Sequence, residues 1–240
     1  MKNIFKSTAL AAGFALTALG MIATPASAAT VTTSSATVTT ADSGFSWTVD
    51  FICSTALPCN GGDPGMTLSA QAVFTLTSVV TSATDVVWGI NLVVSNNSTV
   101  AGFLTAMGFA TDPDAAMGSV TDSNADGIVF AGGTGAIPGF GTELCVWDGA
   151  NCSAAGNHSM TQGVSDTMNF VLTTLGTGAS LTFDNFAVKV AGAGLDGGSF
   201  EFGGTIGEQP PAPVPLPAAG GLLLAGLGGL LLLRRKQKST

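Results

Sequence analysis

Apolar side chains recur at every second position in several runs of this chain. Phe45, Trp47, Val49 and Phe51 form the first run. Met66, Leu68, Ala70, Ala72, Phe74 and Leu76 form the second, and Trp88, Ile90, Leu92 and Val94 the third. Met168, Phe170 and Leu172 form the fourth. Period two puts each set on one face of a strand. The intervening positions are mostly Thr, Ser, Asp and Gln, so one face is dry and the other wet, as in antiparallel sheets. Leu181 and Phe183 share one parity; Phe186, Val188 and Val190 share the other. A β-bulge near Asp184-Asn185 absorbs the extra residue, with a plain turn as the alternative. Turn clusters at Asn60–Gly65, Ser95–Ser98, Gly132–Gly135 and Asp196–Gly198 separate the runs. The count is roughly eight to ten strands, which predicts an all-β fold, an antiparallel, jelly-roll-like β-sandwich. The stretch from Asp112 to Gly141 is the least regular and reads as a long loop with short strand pieces.

The alternation stops at both ends. Lys2 and Lys6 precede the apolar run Ala9 to Ala23, and Ala26-Ser27-Ala28 is a small-x-small cleavage site. Residues 1–28 therefore read as a secretory signal peptide cut by signal peptidase, with Ala29 as the mature start. At the other end, Pro210, Pro211 and Pro213 stiffen a linker within residues 209–217. Ala218 to Leu233 follows without a charge or a proline. As a helix it spans about 24 Å, a little short of the hydrocarbon core. Arg234, Arg235 and Lys236, in the basic tail 234–240, form a stop-transfer cluster that stays cytoplasmic. The plain reading of 218–233 is a transmembrane anchor. Residues 29–208 are left as one domain.

Charge sharpens this division. Six of the seven Lys and Arg residues lie in the two terminal segments, and all fifteen acids lie between them. The body keeps Lys189 alone, for a formal charge of −14. Such a body does not bind nucleic acid, whose phosphates need Lys and Arg. It stays soluble, and it attracts divalent cations.

Candidate chemistry is sparse. Cys53, Cys59, Cys145 and Cys152 fall in two close pairs. An exported body permits oxidation, and of three connectivities the local one, Cys53–Cys59 with Cys145–Cys152, is expected. Zinc is disfavoured by a single histidine and the lack of Cys-x-x-Cys. That histidine, His158, is the only base for triad chemistry, and no Gly-x-Ser-x-Gly elbow occurs. No carboxylate pair is singled out for glycoside hydrolysis. The expectation is a protein that is not an enzyme and has no cofactor, calcium excepted. Asp122, Asn124 and Asp126, followed by Gly127, match the first half of a calcium loop. The twelfth position is Gly133, so Asp112, Asp114 or Glu143 would have to complete a site through the fold. Trp147 beside Asp148 is the candidate ligand contact, because it lies in a short Cys-bounded loop and not in an alternating run; Trp47 and Trp88 read as core.

Val214-Pro215-Leu216-Pro217-Ala218, followed by the apolar span and the basic cluster, resembles the VPLPA variant of the PEP-CTERM sorting signal. The resemblance covers the last 27 of 240 residues. It implies an exosortase, a membrane cysteine protease of Gram-negative bacteria, as partner. It also implies export through the inner membrane, removal of the helix, and delivery of the body to the cell surface or medium. Ser95–Val100, Gly102-Phe103, Gly108–Pro113 and the loop from Cys145 to Cys152 are similar to the cistern family of PEP-CTERM proteins. That likeness implies an exported β-rich body of undefined activity. The expected role is a structural or adhesive component of the envelope or exopolysaccharide matrix. A carbohydrate-binding module, calcium-dependent or not, is the alternative, with extracellular polysaccharide as partner.

Overall fold

The computed structural model describes residues 29–54, 56–57, 59–61, 67–123, 128, 130–154, 160–192 and 198–207. The signal segment 1–28, the linker and sorting motif 209–217, the span 218–233 and the tail 234–240 lie outside the described residues, as do Met66 and His158. All regular structure among the described residues is β. The strands are β1 (Thr30–Val31), β2 (Ala36–Thr39), β3 (Ser46–Cys53), β4 (Leu68–Thr81), β5 (Asp85–Asn96), β6 (Phe103–Asp112), β7 (Ala115–Met117), β8 (Thr121–Asp122), β9 (Ala131–Thr134), β10 (Leu144–Trp147), β11 (Ser165–Leu175), β12 (Ser180–Ala191) and β13 (Ser199–Ile206). The irregular stretch after Asp112 does carry short pieces, β7 to β9.

The alternating runs become strands with their apolar faces inward. Trp47, Phe74, Leu92 and Met168 sit opposite one another across β3, β4, β5 and β11, and all four are buried. On the outward side, pairs of polar side chains bond across the strands. Ser46 meets Thr75 at 2.7 Å, Gln71 donates to Asp50 at 2.8 Å, Asn91 donates to Asn169 at 2.9 Å, and Ser95 meets Ser165 at 2.7 Å. Such cross-strand pairs fix register as well as solubility.

The strands follow one antiparallel path, β7-β11-β5-β4-β3-β13-β12-β6-β10-β9, with β8 beside β11 and β1-β2 beside β12. The two halves are not separate sheets. β13 pairs with β12 through Ser199–Gly203 and with β3 through Gly204–Ile206. Gly204 makes this handover possible, since a Cβ there would fall 2.4 Å from the Phe51 ring. The sheet then folds over itself, and rings from the two halves meet. Trp47 lies 4.9 Å from Phe183, and Phe74 lies 5.6 Å from Phe109 and 5.7 Å from Phe186. Each such pair adds about 0.5–1.5 kcal/mol beyond area burial. At the far end, Met117 and Val120 press on Gly132 of β9. The result is an antiparallel sheet nearly closed into a barrel-like form.

The parity change in β12 is the expected bulge. Asp184 faces Ala110 and Ala187 faces Gly108, so β12 carries one residue more than β6. Asn185 takes φ 49°, a left-handed geometry that Asn tolerates better than most residues. Leu181, Phe183, Phe186, Val188 and Val190 all stay in the core as a result.

Candidate functional site at the cystine-loop face

The outer face of β13-β12-β6-β10-β9 is covered. One row across it is Gly203, Ala187, Gly108, Cys145 and Gly133. These small residues let residues 135–142 lie directly on the sheet. Phe140 reaches over Gly203, and Thr142 sits where a Gly108 side chain would go. Thr142 Oγ1 accepts from the Ile137 amide at 2.7 Å, and Ile137 packs with Ala106 and Ala187 as a second small core.

The adjacent row is Glu201, Lys189, Ala106, Trp147 and Ala131, continued by Asn60 beyond Glu201. Lys189 is the body's one lysine, and it is buried. Its Nζ lies 3.7 Å from Glu201 Oε1 and donates to the Ser153 carbonyl. The carbonyl of Lys189 accepts from Thr105 Oγ1 at 3.3 Å. A buried ion pair of this kind survives only with added hydrogen bonds, because desolvation opposes it.

Both disulfides form as the spacing predicts, Cys53–Cys59 with Cα atoms 5.6 Å apart and Cys145–Cys152 at 6.3 Å. Each delivers a loop to the ion pair. Asn60, next to Cys59, exchanges two backbone hydrogen bonds of 2.9 Å with Glu201, and its Nδ2 donates to the Pro138 carbonyl at 3.3 Å. Ser153, next to Cys152, is aimed by Asn151, whose Oδ1 accepts from the amides of Ser153 and Ala154 at 2.9 and 2.8 Å. Gly135 lies against the second cystine; a Cβ there would fall 2.7 Å from Cys152 Sγ. The two disulfides fit an oxidising, extracytoplasmic compartment.

Trp147 is not in a loop. It ends β10, half-buried, with its ring over Gly133 and its base on the small core. The two-residue alternation is present there, but both faces are covered: Leu144 and Val146 point into the main core, Cys145 and Trp147 into the outer layer. Asp148 is buried, with its amide donating to the Thr105 carbonyl at 2.9 Å, so it does not stand beside an exposed ring. Trp47 and Trp88 are fully buried, as expected. Of the calcium half-motif, Asp122 lies in β8 opposite Met168, whereas Asn124 and Asp126 lie outside the described residues. Asp112, Asp114 and Glu143 are exposed. Among the described residues no three His, Cys, Asp or Glu side chains gather as a metal group. Asp112 instead pairs with Thr182 across β6 and β12, two residues along β12 from Asp184, which faces Ala110. Partial burial, and then the charge of Asp112, raise the Asp184 carboxyl above its ordinary value.

The stretch Ser95–Val100 begins with the last two residues of β5 and leaves the strand after Asn96. Asn96 Nδ2 donates to the Gly102 and Met160 carbonyls, while its Oδ1 accepts from the Ser98 amide at 3.2 Å. The sequence pattern missed the Lys189–Glu201–Asn60 row. Its one signal was a lone lysine in the apolar run Phe186–Ala191. Among the described residues no helix is long and apolar enough to cross a membrane. Comparison with family models, curated proteins and solved structures found no match to this chain.

Proposed function

We propose that this chain is a non-enzymatic exported protein that an exosortase delivers to the surface of a Gram-negative cell. There its body serves as a structural or adhesive component of the envelope or exopolysaccharide matrix. In this reading signal peptidase removes residues 1–28, the helix 218–233 and basic tail 234–240 hold the chain in the inner membrane, and cleavage at the Val214–Ala218 motif frees it. The folded sheet is read as a jelly-roll-like sandwich.

The observation that carries the proposal is the fate of Lys189. The body's one cationic side chain is spent internally on Glu201, under loops tied by two disulfides. What faces outward is acidic or neutral: hydroxyls, amides and carboxylates on a rigid β surface. Such a surface resists aggregation and suits contact with hydrated neutral polymer. The test is deletion of the chain in its host, with extracellular matrix and cell aggregation measured. Loss of both, restored by the whole chain but not by a chain truncated before Val214, supports the proposal. An unchanged matrix contradicts it.

Carbohydrate binding is the second reading, favoured by Trp147, which is half-buried and not sealed in the core like Trp47 and Trp88. Glycan-array binding that Trp147→Ala abolishes, with or without calcium, would replace the structural reading.

A further inference from the structure

We propose that removal of the leader after Ala28 creates an ion pair for which the fold holds a carboxylate ready: the α-ammonium of Ala29 with Asp42. This rests on the leader reading above and adds a role for the new terminus.

The backbone nitrogen of Ala29 donates to Asp42 Oδ1 at 3.2 Å. Asp42 does not need Ala29 to hold its position. Its other oxygen accepts from the Thr39 amide and the Thr39 hydroxyl, both at 2.7 Å. The Asp42 amide donates to the Thr39 carbonyl at 3.1 Å, and the Asp42 carbonyl accepts from Phe45 at 2.9 Å. The turn after β2 thus orients the carboxylate and leaves Oδ1 for residue 29. The two-residue β1 brings Ala29 there by pairing Thr30 with Thr37 and Val31 with Ala36.

In the precursor this contact is an amide hydrogen bond to a carboxylate. On cleavage, water adds its oxygen to the Ala28 carbonyl carbon and the C–N bond breaks. Residue 28 leaves as a carboxylate, and the Ala29 nitrogen becomes an amine that takes up a proton at neutral pH. A neutral donor becomes a cation, and the contact becomes doubly charge-assisted. With Lys189 buried and no other Lys or Arg in residues 29–208, this ammonium adds a cation to a body rich in carboxylates. It ties down a strand of two residues at a chain end, where fraying is otherwise expected.

The test uses the whole chain, exported by its host and recovered. Four forms are compared: wild type, Asp42→Asn, a chain with one glycine inserted after Ala28, and both changes together. Intact mass first establishes where each chain begins. The insertion moves the ammonium one residue from Asp42, and Asn keeps the shape of the turn. At low salt each single change lowers Tm by about 1–3 °C, the range of a partly exposed ion pair. The double change lowers it no further, and 1 M salt erases the differences. Acylation of the Ala29 amine at neutral pH runs several-fold faster in Asp42→Asn than in wild type, while buried Lys189 stays unmodified in both. Additive Tm losses, or equal acylation rates, in a chain that begins at Ala29 overturn the ion pair and leave the leader reading intact. A recovered wild-type chain that begins elsewhere overturns both.

Discussion

Single residues set the chemistry of the covered face, and Lys189 most of all. It sits in an apolar stretch and closes a row that ends in two cystine-tied loops. Removing its charge alone leaves Glu201 buried without a counter-ion, which costs about 3–5 kcal/mol. Lys189→Ala should therefore lower Tm by about 10 °C in thermal unfolding. Lys189→Met with Glu201→Leu should recover most of that loss, because the desolvation penalty leaves with the pair. A second carboxylate behaves differently. Asp184 holds its proton more tightly in the folded state than in the unfolded chain, because of burial and then Asp112. A raised pKa contributes stability below the ordinary carboxylate range and loses it as pH rises through the raised value. Asp184→Asn should accordingly raise Tm at pH 7 by about 1 °C and leave it unchanged at pH 3, where both forms are neutral.

At the scale of elements, β12 shows what alternation can and cannot reveal. The parity change between Phe183 and Phe186 was readable as a bulge because both halves had to face the same core. Asn185 at φ 49° is where that bulge is made. Asn185→Ala should lower Tm by about 3 °C, since an alanine in that region costs about 1–2 kcal/mol, whereas Asn185→Gly should be neutral. β3, β4, β5 and β11 were equally legible, each with one wet face. β10 was not. Period-two reasoning assumes a single buried face, and Cys145 and Trp147 are covered by residues 135–142 on the side that should be wet. The small row Gly203, Ala187, Gly108, Cys145 and Gly133 is scattered over five strands, so its meaning emerges only once register brings it together. The same holds for Lys189, Glu201 and Asn60. The handover at Gly203-Gly204 is not legible in the sequence for a related reason, since two glycines in a strand read equally as a turn.

For the whole molecule, charge and covalent ties decide behaviour. With Lys189 neutralised internally, the body's remaining charges repel one another. Tm should rise as salt goes from 10 mM to 0.5 M, the reverse of a body held by surface ion pairs. Reduction of both disulfides should lower stability by about 2–3 kcal/mol for each short loop while the sheet persists in far-UV circular dichroism. The core it rests on is the ring cluster of Trp47, Phe74, Phe109, Phe183 and Phe186, far more than the bridges. The central claim is that the two terminal segments are an address removed before the body works. The most direct test is the intact mass, without reduction, of the protein recovered from the cell surface or medium. The account predicts a chain that begins at Ala29, ends near Pro217, and lacks four hydrogens for its two disulfides. A mass that retains Arg234, Arg235 and Lys236, or carries free thiols, contradicts it.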